Sequence, residues 1–129
     1  MLSQIYPEEV LKSILIPRQA WRPFPTSGER DAWECLPASL RKAHIARGEA
    51  ALDCEWPGLP AIRFLDFARN GDRRRYEGLS FTRRSTLVNL VIAECMDGQS
   101  RFLDDITNGI WAICEESFWG VPAHIGVQR

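Results

Sequence analysis

From Arg101 to Ile125 the chain gathers two Trp, four carboxylates, one Asn and one His around a strongly apolar run. A helix over residues 101–116 would stack Asp104, Asn108, Trp111 and Glu115 on one face, because they follow at spacings of four, three and four. Phe102, Ile106, Ile110 and Ile113 take another face, and Phe102, Ile106 and Ile113 are expected to enter the core. Carboxylates, an amide and a flat indole suit a carbohydrate, since sugars offer hydroxyls to acceptors and C–H faces to aromatic rings. The same residues also fit an ordinary amphipathic helix whose polar face meets water.

Glu115 and Glu116 invite comparison with the paired carboxylates of a glycosidase. Neighbouring helical residues point about 100° apart, so the two cannot face each other across a scissile bond. The expected arrangement has one of them accepting sugar hydroxyls or holding His124 or an Arg, with the other in solvent. Glu115, on the stripe, is the expected cleft residue. Trp119 is either a stacking platform or a core ring.

Chemistry is sparser elsewhere. His44 falls within a helix with no partner nearby in sequence, which makes it a structural residue. Cys35, Cys54, Cys95 and Cys114 are widely spaced without a C-x-x-C pair, so no zinc site is expected and the thiols read as mostly buried and unbridged. Arg greatly outnumbers Lys, and Arg73-Arg74-Arg75 with Arg83-Arg84 form a basic zone. Seventeen acids bring the net charge to −1, which argues against nucleic acid as a partner. Such a zone is a solvated helix face or a set of forked donors for carboxylates and sulfates.

The chemical segment also carries a resemblance. Asn108-Gly109-Ile110-Trp111-Ala112-Ile113-Cys114-Glu115-Glu116-Ser117-Phe118-Trp119-Gly120-Val121-Pro122-Ala123-His124 resembles a signature near the N-terminus of heparinase II/III-like proteins, bacterial polysaccharide lyases and their relatives. Residues 16–25 (Ile16 to Pro25), 67–73 (Phe67 to Arg73) and 101–106 (Arg101 to Ile106) resemble that group in the same order. The resemblance implies β-elimination on an acidic polysaccharide, with Asp104, Asn108, Trp111, Glu115, Trp119 and His124 as candidate substrate-binding residues. His124 is also the candidate for a catalytic role, since the base and acid in such lyases are commonly Tyr or His. No cofactor or metal is expected. The family members are several times longer, with a helical toroid followed by a β-rich domain, so this chain resembles their leading portion.

The elements that must position these groups read as helices. Pro7 with Glu8 and Glu9 starts one through Leu15. Pro17, Pro23 and Pro25 impose an extended stretch, and Thr26 with Glu29 forms a capping box for a helix through Leu36. Pro37 opens a helix to Leu52 with Leu40, Ala43, His44, Arg47 and Ala51 on one face. Pro60 opens another, closed by Asn70-Gly71. Asp72 caps a short turn bearing arginines, and Ser80 caps the longest apolar helix, lined by Leu87, Leu90, Val91 and Cys95 and stopped by Gly98.

No run alternates as a strand does, so the expected fold is a single all-α domain over 1–129, built of antiparallel helical pairs like the start of an incomplete α/α toroid. Residues 120–129 read as an apolar connection without a cap, so the chain is expected either to form a homodimer or to fold as a self-sufficient helical cluster. The first ten residues fit neither a signal peptide nor a membrane span. As written the chain is expected in the cytoplasm; one trimmed of a signal would read the same and belong in the periplasm.

Overall fold

Prolines open three helices of this chain and glycines close two. The computed structural model describes residues 2–125, with side chains from Gln4 onward. Its helices run in the order α1 (Leu2–Ile5), α2 (Glu8–Ile14), α3 (Arg30–Glu34), α4 (Ala38–Glu49), α5 (Ala61–Asn70), α6 (Arg74–Asp97) and α7 (Leu103–Cys114), followed by a 3-10 turn at Pro122–His124. Among the described residues there is no strand, and the fold is all-α. Pro7, Pro37 and Pro60 stand immediately before α2, α4 and α5, where a missing N–H costs no helical hydrogen bond. Gly71 (φ 78°) and Gly98 (φ 70°) end α5 and α6 in the left-handed conformation that glycine adopts without strain.

Two helix starts differ from the sequence expectation. Thr26 and Glu29 do pair, the Thr26 N–H and hydroxyl both donating to Glu29 Oε2 (2.5 and 2.9 Å), but they close a turn ahead of α3. Ser80 caps nothing: it lies inside α6, 2% exposed. Asp72 starts that helix instead, accepting the Arg74 N–H at 3.0 Å. No proline follows, and Gly78 alone weakens a helix by only about 1 kcal/mol.

The core centres on Leu90, Ala93 and Phe102, all fully buried, with Ala51, Leu52, Trp56 and Ile106 packed around them. α6 is the spine, packing most extensively on α4, then on α7 and α5. The crossing with α4 explains a corrected helix face. Leu40, Ala43 and Arg47 are exposed, whereas Arg41, His44, Ile45 and Gly48 turn inward. A β-carbon on Gly48 would collide with the Ala93 β-carbon and stand 3.1 Å from Phe102 Cε1, so the backbones meet where both residues are small.

Side chains then fix the joint between α6 and α7. Arg30 and Arg41 donate to the last carbonyls of α6, Arg30 to Cys95 O at 2.7 Å and Arg41 to Met96 O at 3.3 Å, placing cations at the negative end of the helix dipole. Buried Glu94 accepts the N–H groups of Ser100 (2.9 Å) and Phe102 (3.3 Å), which holds the turn into α7. Two further expectations need correction. Val91 is 38% exposed, because it stands about 100° around α6 from fully buried Leu90, and Cys35 and Cys114 are exposed rather than buried. All four cysteines are free thiols. The end of the expected apolar connection, residues 126–129, lies outside the described residues.

Candidate functional site

α5, α6 and α7, with the loops before α5 and after α7, enclose a cleft of about 630 Å³. That volume lies within the roughly 300–1,000 Å³ of small-molecule sites. Trp56, Phe64, Tyr76 and Phe118 supply aromatic walls, and Arg83, Glu115 and Glu116 supply charge. Trp56 reaches the cleft by crossing α7 at Gly109, where a β-carbon would strike its ring, 2.6 Å from Cζ2. Phe64 stands edge-to-face with both Tyr76 (5.1 Å between centroids) and Phe118 (5.5 Å).

Beneath these rings lies a buried ion cluster. Glu116 has a side chain only 1% exposed and is clasped by two guanidinium groups. Arg84 Nη2 donates to its Oε2 at 2.7 Å, and Arg83 Nη1 to its Oε1 at 3.3 Å. Arg84 also reaches back one turn to Ser80 Oγ at 2.7 Å. Arg83 is anchored to the backbone on both sides, its Nε donating to Pro57 O (2.6 Å) and its Nη1 to Ala112 O (2.7 Å). Two cations thus share one carboxylate. Burial, and then the charge of Glu116, push the Tyr76 hydroxyl above the usual phenol range, with Arg84 and Arg83 opposing.

The sequence-derived residues fall mostly outside this cleft. Asp104, Asn108, Trp111 and Glu115 lie on the exposed side of α7 and at its C-terminal end. Trp111 is 68% exposed and donates its indole N–H to Glu115 Oε1 at 2.9 Å. Of the four, only Glu115 lines the cleft. Trp119 is exposed, which removes its core alternative. His124 ends the 3-10 turn with an exposed side chain and does not line the cleft. The expected roles of the paired glutamates also need correction, because Glu116, expected in solvent, is the buried partner of the arginines.

A signal for Glu116 was present in the sequence. It continues the inward series Phe102, Ile106, Gly109, Ile113 at spacings of four and three, just beyond the C-terminal end of α7. Tyr76, Ser80, Arg83, Leu87, Leu90 and Glu94 form the matching series on α6, running from the cleft to the core. The basic zone divides accordingly. Arg75 pairs with buried Asp66 at 2.9 Å and Arg73 with Glu77 at 3.6 Å, while Arg83 and Arg84 turn inward.

Among the described residues, no group of three or more His, Cys, Asp and Glu could hold a metal ion, and no helix is long and apolar enough to cross a membrane. Neither protein-family models nor curated proteins match this chain.

Proposed function

We propose that the chain is a helical carbohydrate-binding wall, the N-terminal section of a heparinase II/III-like polysaccharide lyase, which holds a uronate-containing polysaccharide without cleaving it alone. The observation that carries this reading is the double role of Glu115: it borders the aromatic cleft and fixes the exposed indole of Trp111. An exposed flat ring tied to a carboxylate of an aromatic, charged cleft suits a pyranose, whose C–H face stacks while its hydroxyls meet carboxylates. The resemblance of residues 108–124 to lyase signatures supports the same substrate class. Elimination needs a base, a group that neutralises the uronate carboxylate, and an acid for the leaving oxygen. His124 lies off the cleft and the Tyr76 hydroxyl is buried against Phe118 O at 3.5 Å, so this chain is read as binding rather than reacting.

Titration with uronate tetrasaccharides, followed by tryptophan fluorescence, tests the proposal. Binding should weaken by roughly two- to twelvefold in Trp111→Ala, the range expected for loss of one stacking contact. No binding to any member of a uronate panel at millimolar concentration sinks the reading. Ultraviolet absorbance of unsaturated uronate products, lost in His124→Ala, would show that the chain does cleave.

A second reading, a self-associating module, is favoured by the apolar side chains of Val10, Ile14, Leu15, Ile16, Trp21 and Phe24, all at least 45% exposed. A C2 dimer would cover such a patch with its own copy. Sedimentation equilibrium decides it, a strict monomer at high micromolar concentration counting against self-association.

A further inference from the structure

Resting on the carbohydrate-binding reading, we infer that Arg83 is the residue that selects an acidic sugar over a neutral one, by presenting its unused Nη2 to the carboxylate of a uronate seated in the cleft. The guanidinium is held rigidly before any ligand arrives. Its Nε–H goes to Pro57 O at 2.6 Å and Nη1 to Ala112 O at 2.7 Å and Glu116 Oε1 at 3.3 Å. Nη2 has no hydrogen-bond partner among the described residues, nor is it one of the buried polar atoms lacking a partner, so solvent reaches it. With the side chain as a whole 11% exposed and lining the cleft, that nitrogen offers two oriented N–H donors in a wall that also carries four aromatic rings.

Charge points to the same kind of ligand. Arg83 and Arg84 share the single carboxylate of Glu116, which leaves one positive charge in excess at the cleft floor. Arg84 spends its bonds on Glu116 and Ser80, so the excess is available at Arg83. Glu115 also lines the cleft, but that carboxylate is exposed, so water screens its charge far more than it screens the buried pair of Arg83 and Glu116. A cation this poorly hydrated favours an anionic partner over water, and a planar guanidinium matches a planar carboxylate. The aromatic walls then require the anion to carry an apolar face, as a pyranose ring does. A free small carboxylate would satisfy Arg83 but leave those rings uncovered.

The test compares a uronate tetrasaccharide, its carboxyl-reduced neutral counterpart and free glucuronate by calorimetry, with nuclear magnetic resonance of the arginine Nε–H groups. In the unaltered chain the acidic tetrasaccharide should bind on the order of tenfold more tightly than the reduced one, the gain of one charge-assisted hydrogen bond. The Arg83 Nε–H resonance should shift with the acidic ligand only, and Arg83→Lys should erase the preference, since one ammonium cannot keep both anchors and face the ligand. Equal binding of the acidic and reduced sugars overturns the role of Arg83 while leaving carbohydrate binding intact. An acid preference with an unmoved Arg83 resonance also overturns it, and this readout needs no variant to fold. Glucuronate binding as tightly as the tetrasaccharide would mean a site for small acids, not for a polysaccharide. Binding of neither sugar removes the carbohydrate reading itself.

Discussion

Replacing Glu116 by Gln would remove the carboxylate that two inward-turned arginines share. The side chain is 1% exposed, and its oxygens accept from Arg84 Nη2 at 2.7 Å and from Arg83 and Arg84 Nη1 at 3.3 Å each. Gln keeps one acceptor but turns an N–H₂ donor toward a guanidinium, and it leaves two cations facing each other. Breaking a buried ion pair from one side typically costs about 3–5 kcal/mol. Arg84 is 33% exposed and can regain water, so the lower end, about 3 kcal/mol, is expected here. That is a large share of the roughly 5–15 kcal/mol that stabilises a typical domain. Urea unfolding should show the midpoint falling by roughly 1–3 M with the slope unchanged, for slopes of about 1–3 kcal/mol per M. Glu115→Gln, one residue away but exposed, is the control and should stay within about 0.5 kcal/mol. A loss below about 1 kcal/mol for Glu116→Gln, or equal losses for the two variants, would refute the buried cluster and the anchoring of Arg83.

Gly48→Ala is expected to destabilise by about 1–2 kcal/mol in the same assay, because a collision with the Ala93 β-carbon outweighs the roughly 1 kcal/mol gained in helix propensity. Stabilisation by this substitution would mean that α4 and α6 separate freely at their crossing. Tyr76, with its hydroxyl pushed up by burial, should titrate above about pH 10 in the difference absorbance between the unaltered chain and Tyr76→Phe. Because its folded value is raised, the stability that neutral Tyr76 contributes is fully present below about pH 10 and is lost as pH rises through that folded value, a loss that Tyr76→Phe should abolish. A phenol midpoint at the ordinary value would refute it.

Local chemistry was legible in the sequence wherever its cause lies within a turn or two of the chain. Pro7, Pro37 and Pro60 announced three helices, and Gly71 and Gly98 announced two ends, because ring closure and the left-handed backbone are properties of single residues. The spacing of Asp104, Asn108, Trp111 and Glu115 likewise placed them along one side of α7, and the indole of Trp111 finds Glu115 within that same turn. The all-α class followed from the same local periodicities.

Which side of each helix is buried was decided by tertiary structure. α4 turns Gly48 inward rather than Leu40 because the closest backbone approach to α6 needs two small residues, a demand that comes from Ala93 on another helix. Glu116 is buried, and Glu115 is not, because Arg83 and Arg84 stand 33 and 32 positions earlier on α6 and meet it only after α6 and α7 pack. The cleft has the same origin: Trp56 is seated by Gly109 and Tyr76 by Phe118, pairs that no local spacing relates. A sequence by itself displays the groups that ionise and stack, but packing selects which charges lose their water, and with them which residues become a site.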